Sequence, residues 1–150
     1  MDPEQSSVWH DAGMQALQRC GHAATVRLVE KKSIFALPEL LGDIARYGEE
    51  CFDLVFIDGA HTFDDVMVDC AVAVRLVRPG GAIVLDDVNP SLPGVLRAAN
   101  YLRRNYALCL ALVEDSPLCA TAAVFIKSAS LLEQAAGSKV RREWAYSVPF

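Results

Sequence analysis

Acidic and imidazole side chains follow two apolar runs of the sequence, at the point where each run ends. The runs are Phe52–Ile57 and Gly81–Leu85. The residues that follow them are Asp58, His61, Asp86 and Asp87. Apart from Asp53, both runs are continuous, and continuous apolar runs are typical of strands buried on both faces, as in a parallel sheet covered by helices. Because parallel neighbours lie about 4.8 Å apart and ligands bind beyond their carboxyl ends, we expect these four side chains to converge.

The three carboxylates of this group predict a metal site. Asp58, Asp86 and Asp87 would repel one another when packed together, and each would raise the pKa of the others. A hard divalent cation such as Mg²⁺ removes that repulsion and prefers carboxylate oxygens as ligands. The alternative is that Asp58 is a turn residue before Gly59 and that the acid pair caps the next segment.

His61 is a candidate general base. A neutral imidazole accepts a proton near physiological pH, and this residue stands three positions after Asp58. The alternative is a histidine that caps the following helix or lies on the surface. His10 and His22 stand outside the group, and we expect both to be structural.

Composition narrows the class of protein. A chain of 150 residues with 53% apolar residues predicts one globular domain. The net charge of −5 and scattered basic residues disfavour a nucleic-acid partner. No apolar run reaches the roughly 18 residues of a membrane span, and no signal peptide is visible, so we expect a cytoplasmic protein. Five cysteines without CxxC spacing predict free thiols rather than zinc ligands or disulfides.

Helical and strand patterns alternate along the chain. Helices are expected from Ser6 or Ser7 to about Cys20, from Ser33, from Phe63 to Val77 with a turn at Pro79 to Gly81, and from Val95 to Arg104. Strands are expected at Thr25–Glu30, at the two apolar runs, at Leu108–Asp115 and at Thr121–Ser128, with a short helix in the tail. The close spacing of the last two strands predicts an antiparallel hairpin. This order predicts an α/β domain with right-handed crossovers.

The segment from Phe52 to Val88 resembles the carboxyl-terminal half of class I S-adenosylmethionine-dependent methyltransferases. The motifs IDGAH, LVRPGG and LDD stand in the order and spacing of the group that includes macrocin-type sugar O-methyltransferases and cephalosporin hydroxylase-like proteins. The resemblance implies a Rossmann-like three-layer sandwich, with a mostly parallel sheet and an antiparallel carboxyl-terminal hairpin. Residues 1–150 would then be a partial, amino-terminally truncated methyltransferase domain.

The resemblance also implies roles at the sheet edge. Asp58, Asp86 and Asp87 match the metal-binding acids of the Mg²⁺-dependent members. His61 matches the histidine proposed there as general base. The implied reaction is transfer of the methyl group of S-adenosylmethionine to the hydroxyl of a small molecule.

Two further residues match the cofactor side of the family. Asp2 matches the acidic residue that binds the cofactor ribose, and Ser33 falls near the loop that flanks the adenine. The glycine-rich GxGxG loop of the family has no counterpart here, and the chain begins where the second strand should end. The strand expected around Val26 and the strand around Phe56 would therefore close up, or accept another chain between them. Alternatively, the sequence is a fragment of a longer protein.

Two functions remain open from the sequence. The first is a Mg²⁺-assisted O-methyltransferase with a small-molecule acceptor and neither a nucleic-acid nor a membrane partner. The second is a truncated methyltransferase-like domain that cannot bind cofactor alone. A phosphoacceptor receiver domain is disfavoured, because its acid pair follows the first strand. The incomplete sheet and the aromatic tail are also compatible with a homo-oligomer.

Overall fold

A four-stranded mixed sheet organises the computed structural model, which describes residues 1–47, 52–106, 110–113 and 121–128. The strands are β1 (Phe52–Ile57), β2 (Val77–Leu85), β3 (Leu110–Val113) and β4 (Ala123–Lys127), in the spatial order β1-β2-β4-β3. The helices are α1 (Ala12–Arg19), α2 (Ser33–Tyr47), α3 (Phe63–Leu76) and α4 (Pro93–Asn105). None of the helices in these described ranges has the length and hydropathy needed to cross a membrane.

The sheet combines one parallel pair with two antiparallel pairs. β1 and β2 are parallel, with Ile57 opposite Leu85, and α3 forms the crossover between them. β4 pairs antiparallel with both β2 and β3. This arrangement confirms the Rossmann-like α/β class and the antiparallel pairing of the last two strands. The turn expected between those strands and the tail helix lie outside the described residues.

The core lies between the sheet and one layer of helices. α3 contacts α2 on one side and α4 on the other. The buried cluster joins sheet residues to α3 and α4, and its members include Ile57, Ile83, Leu85, Phe125, Val66, Cys70, Ala73, Val95, Ala98 and Leu102. On β1 the alternate residues Leu54 and Phe56 point away from this layer and are 54% and 56% exposed.

The junction between α3 and β2 corrects the expected turn at Pro79 to Gly81. α3 ends at Leu76 and β2 begins at Val77, so the RPGG residues belong to the strand. Pairing with β1 is irregular there, because Phe52 lies opposite Val77 while Leu54 lies opposite Ala82. The glycines absorb this irregularity within the strand: Gly80 has a positive φ of 78°.

The prediction of a strand at Thr25–Glu30 is wrong. Ala23–Thr25 form a short 3₁₀ turn, and the residues that follow have no strand assignment. A strand needs a paired neighbour, and the backbone of this segment instead accepts a hydrogen bond from the start of the chain, from the Asp2 amide to the carbonyl oxygen of Val29 at 3.2 Å.

The predicted start of the first helix is also wrong. α1 begins at Ala12, and its N-cap is Asp11 rather than Ser6 or Ser7. The hydroxyl of Ser6 instead donates to the carboxylates of Asp11 and Glu30, at 2.8 and 2.5 Å. Side-chain bonds therefore hold the serine outside the helix that it was expected to cap.

Candidate active site

The loop after β1 brings His61 to the sheet edge without using it as a helix cap. Thr62 is the N-cap of α3: its hydroxyl accepts the amide hydrogen of Asp65 and donates to the carboxylate of the same residue, at 3.3 and 2.6 Å. The helix is thus capped by the next residue. The imidazole of His61 is available for other contacts, which removes the alternative that it caps α3.

The loop after β2 separates the two neighbouring acids. Oδ1 of Asp86 accepts the amide hydrogen of Asp87 at 2.8 Å, so this carboxylate is hydrogen-bonded to the adjacent backbone. Asp87 has a positive φ of 59°, a left-handed conformation that aspartate tolerates better than most residues. Neighbouring residues in the sequence therefore direct their side chains to different partners.

Asp58, His61 and Asp87 form one cluster at the carboxyl ends of β1 and β2. One ligand atom from each residue lies within 4.8 Å of the others. Nε2 of His61 lies 3.1 Å from Oδ2 of Asp87, and both side chains are partly exposed, at 45% and 38%. The two carboxylates offer the oxygen ligands that Mg²⁺ prefers, so the cluster fits a hard cation. Asp86 is not a member of it.

Asp2 and Ser33 lie outside this cluster. Oδ1 of Asp2 accepts the amide hydrogen of Glu4 at 2.9 Å. The backbone bond to Val29 places Asp2 beside the segment that leads to Ser33. Ser33 is the first residue of α2, and its hydroxyl bonds to the carboxylate of Asp69 on α3.

Asp69 is a buried acid that the sequence analysis did not single out. It is 8% exposed, and its Oδ1 has no hydrogen-bond partner among the described residues. Burial raises the pKa of Asp69, the hydrogen bond from Ser33 opposes that rise, and the charge of Asp65 adds to it. Helical periodicity was the available signal, because Asp69 falls on the inward stripe that carries Val66, Cys70 and Ala73.

Gly94 is a second residue beside the cluster that no sequence pattern indicated. A Cβ atom at this position would overlap the carbonyl oxygen of His61 and would lie 2.8 Å from the amide nitrogen of Phe63. The first turn of α4 therefore packs directly against the backbone of the loop after β1. No sequence signal could have shown this contact, because it joins two segments through their tertiary packing.

Comparison with known proteins identifies the family. A family model described as a methyltransferase domain matches residues 1–88, which is more than half of the chain. The chain belongs to this methyltransferase family. A search of curated proteins found no match to this methyltransferase chain.

Solved structures share the fold of this methyltransferase chain. Cofactor-bound Rv0187 from MTB is 22% identical, with a TM-score of 0.61 over 79% of this chain and 56% of that one. The O-methyltransferase TomG from Streptomyces achromogenes, in complex with SAM, is 23% identical, with a TM-score of 0.57 over 79% and 57%. An O-methyltransferase from Bacillus cereus, in complex with SAH, is 18% identical, with a TM-score of 0.58 over 81% and 60%. The chain thus spans rather more than half the length of these structures.

Proposed function

We propose that the chain forms the catalytic side of an S-adenosylmethionine-dependent, Mg²⁺-assisted O-methyltransferase that acts on the hydroxyl of a small molecule. The observation that carries the proposal is the convergence of Asp58, His61 and Asp87 beyond two parallel strands of a methyltransferase domain. The structures of TomG with SAM and of the Bacillus cereus enzyme with SAH support it, because both are O-methyltransferases of the same fold.

The contact between His61 and Asp87 defines how the base would work. If Nε2–H donates to the Asp87 carboxylate at 3.1 Å, the lone pair of the neutral imidazole is on Nδ1. Nδ1 then accepts the proton of the acceptor hydroxyl as the methyl group arrives. The carboxylate of Asp87 keeps the imidazole in this tautomer and stabilises the imidazolium that forms.

The carboxylates of Asp58 and Asp87 would hold the cation. Oδ2 of Asp87 faces His61, so its second oxygen remains for a metal. Bound Mg²⁺ would supply Lewis-acid stabilisation of the acceptor oxygen as it loses its proton. Asp86, the third acid expected from the sequence, would assist by accepting the Asp87 amide hydrogen.

Asp2 and Ser33 would hold S-adenosylmethionine, which supplies the methyl group. Oδ1 of Asp2 accepts one backbone hydrogen bond, and its Oδ2 remains to accept the hydroxyls of a ribose. The hydroxyl of Ser33 donates to Asp69 and keeps its lone pairs for a donor such as an exocyclic amine. The polar atoms of both residues are therefore compatible with the roles that the resemblance implies.

Calorimetric titration tests the proposal directly. S-adenosylmethionine is titrated into the chain with and without Mg²⁺, and we expect binding heat that does not depend on the acceptor. Absence of heat at millimolar cofactor would exclude catalysis by this chain alone and would favour the alternative, a methyltransferase-like domain that cannot bind cofactor by itself.

We further propose that the chain self-associates through β1. In the part of the chain that the structure describes, this strand lies at one edge of the sheet and pairs on one side with β2. Its residues Phe52, Leu54 and Phe56 are exposed. An edge strand with exposed apolar side chains is a template for pairing with another strand, and a second copy of β1 offers the same chemistry.

We also propose that the protein is located in the cytoplasm. The described cysteines, Cys20 and Cys70, are free thiols. Free thiols persist in reducing compartments, which supports a location inside the cell. Mass spectrometry of the protein from its native compartment, with and without reduction, tests this assignment.

A further inference from the structure

Loop 87–94, which here denotes the segment from Asp87 to Gly94 in the first turn of α4, contacts His61 at both of its ends. At its start, the carboxylate of Asp87 lies against the imidazole, at 3.1 Å from Nε2. At its end, Gly94 lies against the carbonyl oxygen of the same histidine and against the backbone of Thr62 and Phe63. The side chain and the backbone of His61 are thus contacted by one short segment.

Internal hydrogen bonds restrain this loop. The backbone amide of Asn89 donates to the carbonyl oxygen of Asp87 at 2.9 Å, and the amide of Leu92 donates to the carbonyl oxygen of Asn89 at 3.1 Å. The side-chain oxygen of Asn89 accepts from the backbone amide of Ser91 at 3.0 Å, and it also accepts from the Ser91 hydroxyl. Asn89 therefore joins the two halves of the loop, and the distance between its ends is restrained.

The elements on both sides of the contact are anchored in the core. Val95, the residue after Gly94, is 1% exposed and belongs to the buried cluster. Val66, in the first turns of α3, is 2% exposed and belongs to the same cluster. Because neither helix can withdraw without opening the core, added volume at Gly94 must displace the exposed loop that carries His61.

We propose that loop 87–94 is a clamp that fixes the position of the His61 imidazole, and that Gly94 is the positioning residue which lets the clamp close. Its catalytic meaning rests on the proposed function, in which His61 is the base. Proton transfer requires the base within hydrogen-bond reach of the hydroxyl, and a displacement of 1 Å can lower a rate about 100-fold. The clamp would hold the imidazole within this tolerance. The same loop carries Asp87, one of the two carboxylates that would hold the cation.

Nuclear magnetic resonance of the His61 imidazole tests the clamp without cofactor, metal or acceptor. In the wild-type chain, Asp87→Asn should shift the ring ¹⁵N resonances of His61, because it replaces the charged partner of Nε2. In a Gly94→Ala background we expect the His61 resonances to move already, and the further response to Asp87→Asn to fall at least twofold.

Two other glycines provide matched controls. Gly81→Ala also creates a steric conflict, with a Cβ 2.8 Å from the carbonyl oxygen of Asp53, but it lies in β2 before the paired segment that leads to the site. Gly42→Ala adds a methyl group where nothing lies within 4 Å. Both controls should keep the full His61 response, which separates displacement of the histidine from general loss of stability.

A second variant keeps the test decisive if Gly94→Ala does not fold. Asn89→Ala removes the side-chain bonds to Ser91 that restrain the loop and adds no volume, and it should weaken the same response. An unchanged His61 response in the folded variants, or an equal loss in Gly81→Ala, would overturn the clamp. Failure of His61 as a base would appear separately, as unchanged turnover in His61→Ala.

Discussion

Nε2 of His61 lies 3.1 Å from Oδ2 of Asp87, so that an imidazole and a carboxylate from two different loops meet beyond the parallel pair β1–β2. Both side chains are partly open to solvent, and such a pair stabilises the fold by less than about 1 kcal/mol. Its consequence is therefore chemical. In the proposed mechanism, the contact selects the imidazole tautomer in which Nδ1 can accept a proton.

Removal of this imidazole should separate turnover from cofactor binding. In the active enzyme, His61→Ala should lower kcat by about 100- to 10,000-fold, because the proton of the acceptor hydroxyl loses its base. Affinity for S-adenosylmethionine by calorimetry should stay unchanged. His22→Ala is the matched control, because His22 is exposed and stands outside the cluster. Full turnover in His61→Ala would remove this residue from the mechanism.

Metal binding should depend on two of the three acids. Asp58→Asn combined with Asp87→Asn should abolish the rise in Tm that Mg²⁺ causes in the wild-type chain, a stabilisation of about 2.7 kcal/mol at 100 times Kd. Asp86→Asn should retain a measurable rise, because its carboxylate accepts a backbone hydrogen bond and is not in the cluster. Asp64→Asn, on the exposed side of α3, is the control. A Mg²⁺ response that survives the double substitution would disprove the metal site.

The sequence was sufficient to predict that Asp58, His61 and Asp87 converge. Continuous apolar runs indicated β1 and β2, and the topology of parallel strands then required Asp58 and Asp87 to approach each other. It was not sufficient to rank the neighbouring acids. Asp86 and Asp87 have the same chemistry, and the positive φ that directs Asp87 to His61 arises from how the loop packs.

Local patterns failed where tertiary pairing decides the outcome. Thr25–Glu30 has the composition of a strand, but it stays unpaired as a strand because no neighbouring strand lies beside it among the described residues. The glycines of RPGG predicted a turn, while pairing with β1 draws them into β2. Gly94 carries no local signal at all, since its requirement comes from the backbone of His61.

The buried acid Asp69 should make stability depend on pH. Because burial raises its pKa in the folded chain, the native state holds this proton more tightly than the unfolded state does, whose pKa is about 3.9. The contribution of Asp69 to the free energy of unfolding therefore falls as the pH rises from about 3.9 through the raised pKa of the folded chain. Ser33, Asp65 and Cys70 are the neighbouring polar groups.

Asp69→Asn removes this titration. As the pH rises between the unfolded and the folded pKa of Asp69, we expect the variant to gain stability relative to wild type. Urea unfolding from pH 4 to 8 measures this difference. Asp64→Asn, an exposed acid of the same helix, should leave the difference from wild type nearly constant. Parallel pH profiles for wild type and Asp69→Asn would show that this carboxyl group is not perturbed in solution.

The two described thiols should differ in reactivity. Burial, with a smaller contribution from the charge of Asp69, raises the pKa of Cys70 to about 12, whereas Cys20 is exposed. The thiolate is the reactive form, so iodoacetamide at pH 8 should modify Cys20 in the folded chain and leave Cys70 intact. Peptide mass spectrometry measures both sites, and urea should release Cys70. Rapid labelling of Cys70 without denaturant would contradict the packed interface between α3 and the sheet.

Self-association through β1 should depend on its exposed apolar side chains. Leu54→Lys combined with Phe56→Lys places charges on the face that points away from the helices, where burial in a dimer would be unfavourable. Sedimentation velocity should show a concentration-dependent dimer for the wild type and a monomer for this variant. Val8→Lys, at an exposed apolar residue of the amino-terminal turns, is the control and should still dimerise. Retention of the dimer in the β1 variant would assign the interface to another surface, because the charged strand could no longer pair with its copy.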